Sequence, residues 1–224
     1  MRGAIRLGRL VRELTGPSPP AEATGLVALM LLHDARRPAR LDDAGDLVVL
    51  EEQDRSRWDQ RQIGEALPLV EEAFRGKPGP YAVQAAIAAL HCRAARAEDT
   101  DWMQILRLYD VLERLQPSPI VSLNRAVAVA MAHGPEAGLA IVDALAEKSE
   151  LGDYHLLHSA RADLMRRMGS TEQAAEAYAK RWRWLRTKAN GAIWSAGCAK
   201  CNVRRNAARF VCVFLCCRNV NLLV

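Results

Sequence analysis

Aromatic residues are scarce in this sequence, only 5% of 224, although half of the residues are hydrophobic. Ala, Leu and Val must therefore supply the core. That favours close helix packing over a β-sandwich, whose strands draw on aromatic and β-branched side chains. Cysteine is nearly absent as well: Cys92 stands alone in the first 190 residues. Such usage fits a reduced, intracellular protein and excludes a disulfide scaffold. No stretch reaches the ~18 apolar residues that span a bilayer. The N-terminus, MRGAIRLGRLVREL, has neither a continuous apolar core nor a cleavage site for secretion. The expected location is the cytoplasm. Acidic residues are missing from 191–224, which carry Lys200, Arg204, Arg205, Arg209 and Arg218. Those five account for the whole net charge of +5, leaving 26 basic against 26 acidic residues in 1–190. A body without basic excess argues against binding nucleic acid by phosphate neutralisation.

What is present is a succession of helices with clear punctuation. Ile5, Leu7, Leu10, Val11 and Leu14 recur at helical spacing, with arginines on the other faces. A second helix, about Glu22–Arg36, is almost wholly apolar from Leu26 to Leu32, so it should be covered on more than one side. Pro38 should end it. Asp43-Ala44-Gly45-Asp46 reads as a turn between Arg40-Leu41 and Leu47–Leu50, and the pair Val48-Val49 suggests a small β-hairpin there. Ser56 or Asp59 should cap a third helix holding Ile63, Leu67, Val70 and Phe74, with a kink or break at Pro68. A helix over Tyr81–Arg96 is rich in alanine, and Asp99-Thr100-Asp101 caps a fifth. Further helices are expected over Ile120–Ala132, Glu136–Glu147, after Gly152-Asp153, and over Glu172–Arg186.

The second half resembles tetratricopeptide (TPR) repeats. Gly134 and Gly169 each close a helix and lie 35 residues apart, near that repeat's 34-residue period. In this register Ala162, Ala174 and Tyr178 take the small and aromatic positions of the last unit. The preceding unit fits less well, with Val127, Leu139 and Asp143 there. The expected fold class is all-α: antiparallel helix pairs, a TPR-like α-solenoid in the second half, and a small β-hairpin near residues 40–50. The expected domains are a helical module over 1–97, TPR-like repeats over 98–188, and a Cys-rich basic tail over 189–224 that reads as non-native or disordered.

Certain phrases are too particular for a generic helical protein. LMLLHDARRPAR (Leu29–Arg40) and LEEQDRSRWD (Leu50–Asp59) resemble the C-terminal extension of a TPR-tailed group of bacterial extracytoplasmic-function (ECF) sigma factors. AIRLGRL (Ala4–Leu10), GPYAVQAAIAALH (Gly79–His91), DTDW (Asp99–Trp102), SPIVSLNRAVAVA (Ser118–Ala130) and GDYHLLHSARADLMRRMG (Gly152–Gly169) agree as well. Together they reach across most of residues 4–187. The resemblance implies a regulatory region that packs on a sigma factor or on RNA polymerase. The segments of complete members that bind the −10 and −35 promoter elements are not matched, so the chain is expected to be a fragment without direct DNA binding.

The candidate interaction or structural cluster is His33, Asp34, Arg36, Arg37, Arg40, Asp54, Arg55, Arg57 and Trp58. His33-Asp34 with the arginines has the composition of a metal or phosphate site. The simpler reading is a helix C-terminus whose dipole is neutralised by His and Arg. Asp54–Trp58 is either a partner-binding patch, Arg and Trp being favoured there, or an ion-pair network tying the hairpin to the second helix. His155 and His158 have a zinc-compatible spacing without further ligands nearby. His91-Cys92 are adjacent on a helix, about 100° apart, and cannot readily pair as base and nucleophile. In the tail, Cys198, Cys201, Cys212, Cys216 and Cys217 include one CxxC but lack a second. With no phosphate loop, nucleophile elbow or paired carboxylates, the sequence reads as a non-enzymatic module, without metal or cofactor. Its expected partners are RNA polymerase or the sigma-factor core regions, reached by protein contacts. A general TPR adaptor is the alternative.

Overall fold

A computed structural model describes residues 2–16, 20–43, 45, 48–147 and 154–170. Among these residues lie eight α-helices: α1 (Arg2–Leu14), α2 (Ala21–Ala35), α3 (Gln60–Arg75), α4 (Pro80–Arg93), α5 (Trp102–Leu115), α6 (Pro119–His133), α7 (Pro135–Glu147) and α8 (His155–Arg167). The fold is all-α, with short antiparallel connections. The expected helix over Glu172–Arg186, the positions Ala174 and Tyr178, and the Cys-rich tail lie outside the described residues.

The chain divides into two compact units. One comprises Met1–Asp46 with Glu51–Val121, and the other Leu47–Leu50 with the chain from Ser122 on. In the first, α2 is the axis: it packs against α1, α3 and α4, as its all-round apolar sequence requires. Val27, Ala28, Leu29, Leu31 and Leu32 are all buried. The closest approach falls at Gly25, where an added Cβ would lie 2.6 Å from the backbone nitrogen of Ala82. Glu22, one turn earlier, accepts hydrogen bonds from the Tyr81 and Ala82 amides, both at 3.1 Å. It thus satisfies two orphan donors at the start of α4, which has no cap of its own. Asp59 caps α3 by accepting from the Gln62 amide at 3.0 Å, and Asp101 caps α5 by accepting from Gln104 at 2.8 Å.

In the second unit Leu123, Ala126 and Ala130 of α6, Val142 of α7, and Leu156, Leu157, Ala160 and Leu164 of α8 share one core. Gly134 and Gly169 follow α6 and α8 with φ of 105° and 82°. Both helices therefore end on a left-handed residue, where glycine carries no steric penalty. Ala162 is fully buried. The small residue that lets α7 approach α6 is Gly138, beside the position assigned to Leu139. A Cβ there would meet the Ala130 side chain at 2.5 Å and the Ala126 carbonyl at 2.7 Å.

Two local expectations need correction. No hairpin ladder is present among the described residues of 40–50. Arg40 keeps near-helical angles at the end of a 3₁₀ turn (Arg37–Ala39), while Val49 and Leu50 are buried as apolar plugs. A short apolar run near a turn suits that use as well as it suits a strand. The turn itself exists: Gly45 has φ 81° and donates to the Asp42 carbonyl at 3.0 Å. The second correction concerns the break allowed for at Pro68. Helix α3 runs unbroken through it, with Pro68 exposed and Gly64 at the position whose carbonyl its ring crowds.

Candidate functional site

The C-terminus of α2 ends in buried carbonyls that its own helix cannot satisfy. Two groups from later in the chain supply donors to them, and a third meets the Asp34 side chain. The Arg40 guanidinium donates to the His33 carbonyl at 2.6 Å. The backbone amide of Asp59 donates to the Ala35 carbonyl at 2.9 Å. Gln62 on α3 donates its amide to the Asp34 carboxylate at 3.3 Å, which Arg37 faces from 3.8 Å. The end of α2 is therefore closed by hydrogen bonds from residues 7 to 28 positions downstream of their acceptors.

Arg55 performs the same task for α4. Its Nη1 donates to the carbonyls of His91 and Ala94 at 2.7 and 2.6 Å, and its guanidinium lies 4.8 Å above the centre of the buried Trp58 ring. Charge-assisted bonds of this length are the stronger kind, and the stacked ring contributes a cation–π contact. Asp54 holds Arg55 in place. It caps the 3₁₀ turn Arg55–Arg57, accepting from the Ser56 amide at 3.0 Å and the Ser56 hydroxyl at 2.6 Å. Those hydrogen bonds keep the Asp54 carboxyl below its usual range. Arg57 points outward and is exposed.

His33 sits at the centre of the cluster, 5% exposed. Nη2 of Arg36, itself almost wholly enclosed, lies 3.1 Å from its Nδ1. A guanidinium only donates, so Nδ1 must be the acceptor and the ring neutral, protonated at Nε2. Burial, and then the charges of Arg36, Arg40 and His91, hold its pKa well below the ordinary value. A histidine that is buried among cations and hydrogen-bonded in this way is poorly placed to gather a metal. Among the described residues no three His, Cys, Asp or Glu side chains converge as ligands. Cys92 is not activated either: burial raises its thiol pKa, against a smaller opposing effect of Arg36 and Arg55. The neighbouring His91 ring meets Trp102 edge-on, 5.2 Å between centroids. His158 is half-buried on α8; the His155 side chain lies outside those described, as do Cys198, Cys201, Cys212, Cys216 and Cys217.

The structure thus gathers His33, Asp34, Arg36, Arg37 and Arg40 at one helix end and places Asp54, Arg55 and Trp58 at another. Arg55 reaches α4 rather than α2, through bonds to two backbone carbonyls. Glu22 was not singled out by sequence, although an acid beside Gly25 in the first turn of an apolar helix is the signal that would have found it.

All nine cluster residues fall within residues 1–74, which match a family model described as a family of unknown function (DUF6596). The chain is also 50% identical, over 176 residues, to the uncharacterized protein R00370 of Rhizobium meliloti (strain 1021). That stretch is 78% of this chain but 41% of the relative, so the chain spans well under half of that protein. No solved structure matches. No helix among the described residues is long and apolar enough to cross a membrane.

Proposed function

We propose that this chain is a regulatory protein-interaction module of an ECF-type sigma factor, acting in the cytoplasm on transcription initiation through contacts with sigma regions or RNA polymerase. The observation that carries the reading is the fate of the two most particular phrases, Leu29–Arg40 and Leu50–Asp59. Their charged residues meet the backbone: Arg40 and Arg55 close two helix ends. Residues so constrained by folding serve as a signature of the module that needs them. The all-α architecture and the unmatched majority of the Rhizobium relative are compatible with a module that works beside other segments. The module has no enzymatic role and contacts protein rather than DNA.

The alternative, a general TPR-type adaptor, draws on the left-handed glycines that close α6 and α8 and on the close approach at Gly138. Stacked helix pairs of this kind offer grooves to peptides. A tagged chain incubated separately with RNA polymerase core, with holoenzyme and with the complete Rhizobium relative tests the first reading. Retention of polymerase or of the relative supports it. A chain folded by circular dichroism that retains none of them overturns it.

A further inference from the structure

Helix α1 is mounted with its apolar face outward. Leu7, Leu10, Val11 and Leu14 are 61%, 47%, 47% and 78% exposed, and their spacing of three, four and seven residues lines them along one stripe. The opposite face is the anchored one. Ile5 is buried, Gly8 lies against Met30 and Val27, and Arg9 and Arg12 pair with Glu65 and Glu72 of α3. Arg12 also donates to the Thr24 hydroxyl at 3.2 Å. These bonds fix the rotation of α1 about its axis, so the leucines cannot turn inward without breaking both ion pairs.

The flank of the stripe is complementary to itself. Arg6 and Glu13 are seven residues apart, on the same side of the seam, and both are exposed. Neither makes an ion pair among the described residues. In an antiparallel helix pair, positions flanking the seam on that side face each other across it. Two copies of α1 related by a two-fold axis would set Arg6 of each against Glu13 of the other. In that register Leu7 meets Leu10 of the partner subunit, and Leu14 lies over the partner's Gly3, beside which there is open space.

We propose that α1 is a self-association surface, and that its occupant is the α1 helix of a second copy, packed antiparallel about the Leu7–Leu10–Leu14 seam. A two-fold contact of this kind is isologous, which is why one helix can carry both halves of each ion pair. The seam is only about 20 Å long and falls short of the ~800 Å² per partner of a standard interface. The dimer should therefore be reversible, with a dissociation constant on the order of 10 µM or weaker.

Sedimentation equilibrium of the full chain under reducing conditions tests this. Wild type should pass from monomer to dimer with concentration, and Leu10→Asp should remain monomeric. Arg6→Glu or Glu13→Arg alone should each weaken the dimer roughly five- to thirty-fold, two exposed pairs turning repulsive. The double variant R6E/E13R should restore wild-type affinity, a result that general stickiness of the leucines would not give. Three results would overturn the proposal: a wild type monomeric throughout, which would mean another segment covers the stripe; association indifferent to Leu10→Asp; or a double variant no better than the singles.

Discussion

Acidification tests the electrostatic account of the cluster most sharply. His33 is buried against Arg36 and Arg40 on its own segment and faces His91 across from α4, and its folded pKa lies well below the unfolded value near 6.5. Above pH 6.5 the ring is neutral in both states, and the fold has its full stability. Below that pH the unfolded chain takes up a proton that the folded chain refuses. Stability should then fall by about 1.4 kcal/mol per pH unit until the folded pKa is reached. The carboxyls of Asp54 and Asp99, lowered by Ser56 and Arg96 respectively, lose their contribution only at much lower pH. The window from pH 6.5 to 5 therefore isolates histidine. The assay is urea unfolding at half-unit pH steps, comparing wild type with His33→Asn, whose side-chain oxygen can keep the acceptor near Nδ1. The variant should lose about one proton's worth of slope in that window. Equal slopes in the two proteins would mean that His33 already carries a proton in the fold, and the neutral-acceptor assignment would be wrong.

Two further substitutions probe the α2–α4 seam. Gly25→Ala places a methyl within 2.7 Å of two Ala82 backbone atoms; it should destabilise by about 1–3 kcal/mol although alanine is the better helix former. A gain in melting temperature would show that the helices can move apart freely. Glu22→Gln leaves one good acceptor for two amide donors, and should cost about 1–2 kcal/mol in urea unfolding. No change there would mean that water caps α4 equally well.

Much of this fold could be read along the chain, because the helices are bounded by residues that act locally. Asp59 and Asp101 cap the helices that follow them, Gly134 and Gly169 close those before them, and the uniform apolarity of Leu26–Leu32 announced a helix covered on several sides. What could not be read depends on partners distant in sequence. Arg55 bonds carbonyls 36 and 39 residues away, and nothing in the string DRSRWD separates it from Arg57. The orientation of α1 turns on Glu65 and Glu72, 56 and 60 residues from their arginines; its periodicity marks an amphipathic helix without saying which face goes inward. Val48-Val49 failed as a strand signal because a short apolar run that buries Val49 and Leu50 and a short edge strand share one pattern. The cluster's chemistry was equally ambiguous, since His, Asp and Arg near a helix end compose both an anion site and a cap, and only the carbonyl distances choose between them.

Among the charged residues of 33–58, Arg40 and Arg55 close helix ends. Arg55 and Arg57 offer the direct comparison, two arginines in one 3₁₀ turn, one bonded to α4 and one exposed. Urea unfolding of Arg55→Ala should show a loss of about 2–4 kcal/mol, the sum of two charge-assisted bonds in a partly exposed setting and one cation–π contact. Arg57→Ala should stay within about 0.5 kcal/mol of wild type. Equal effects of the two, or a larger loss at Arg57, would contradict the assignment of Arg55 as the cap that closes α4.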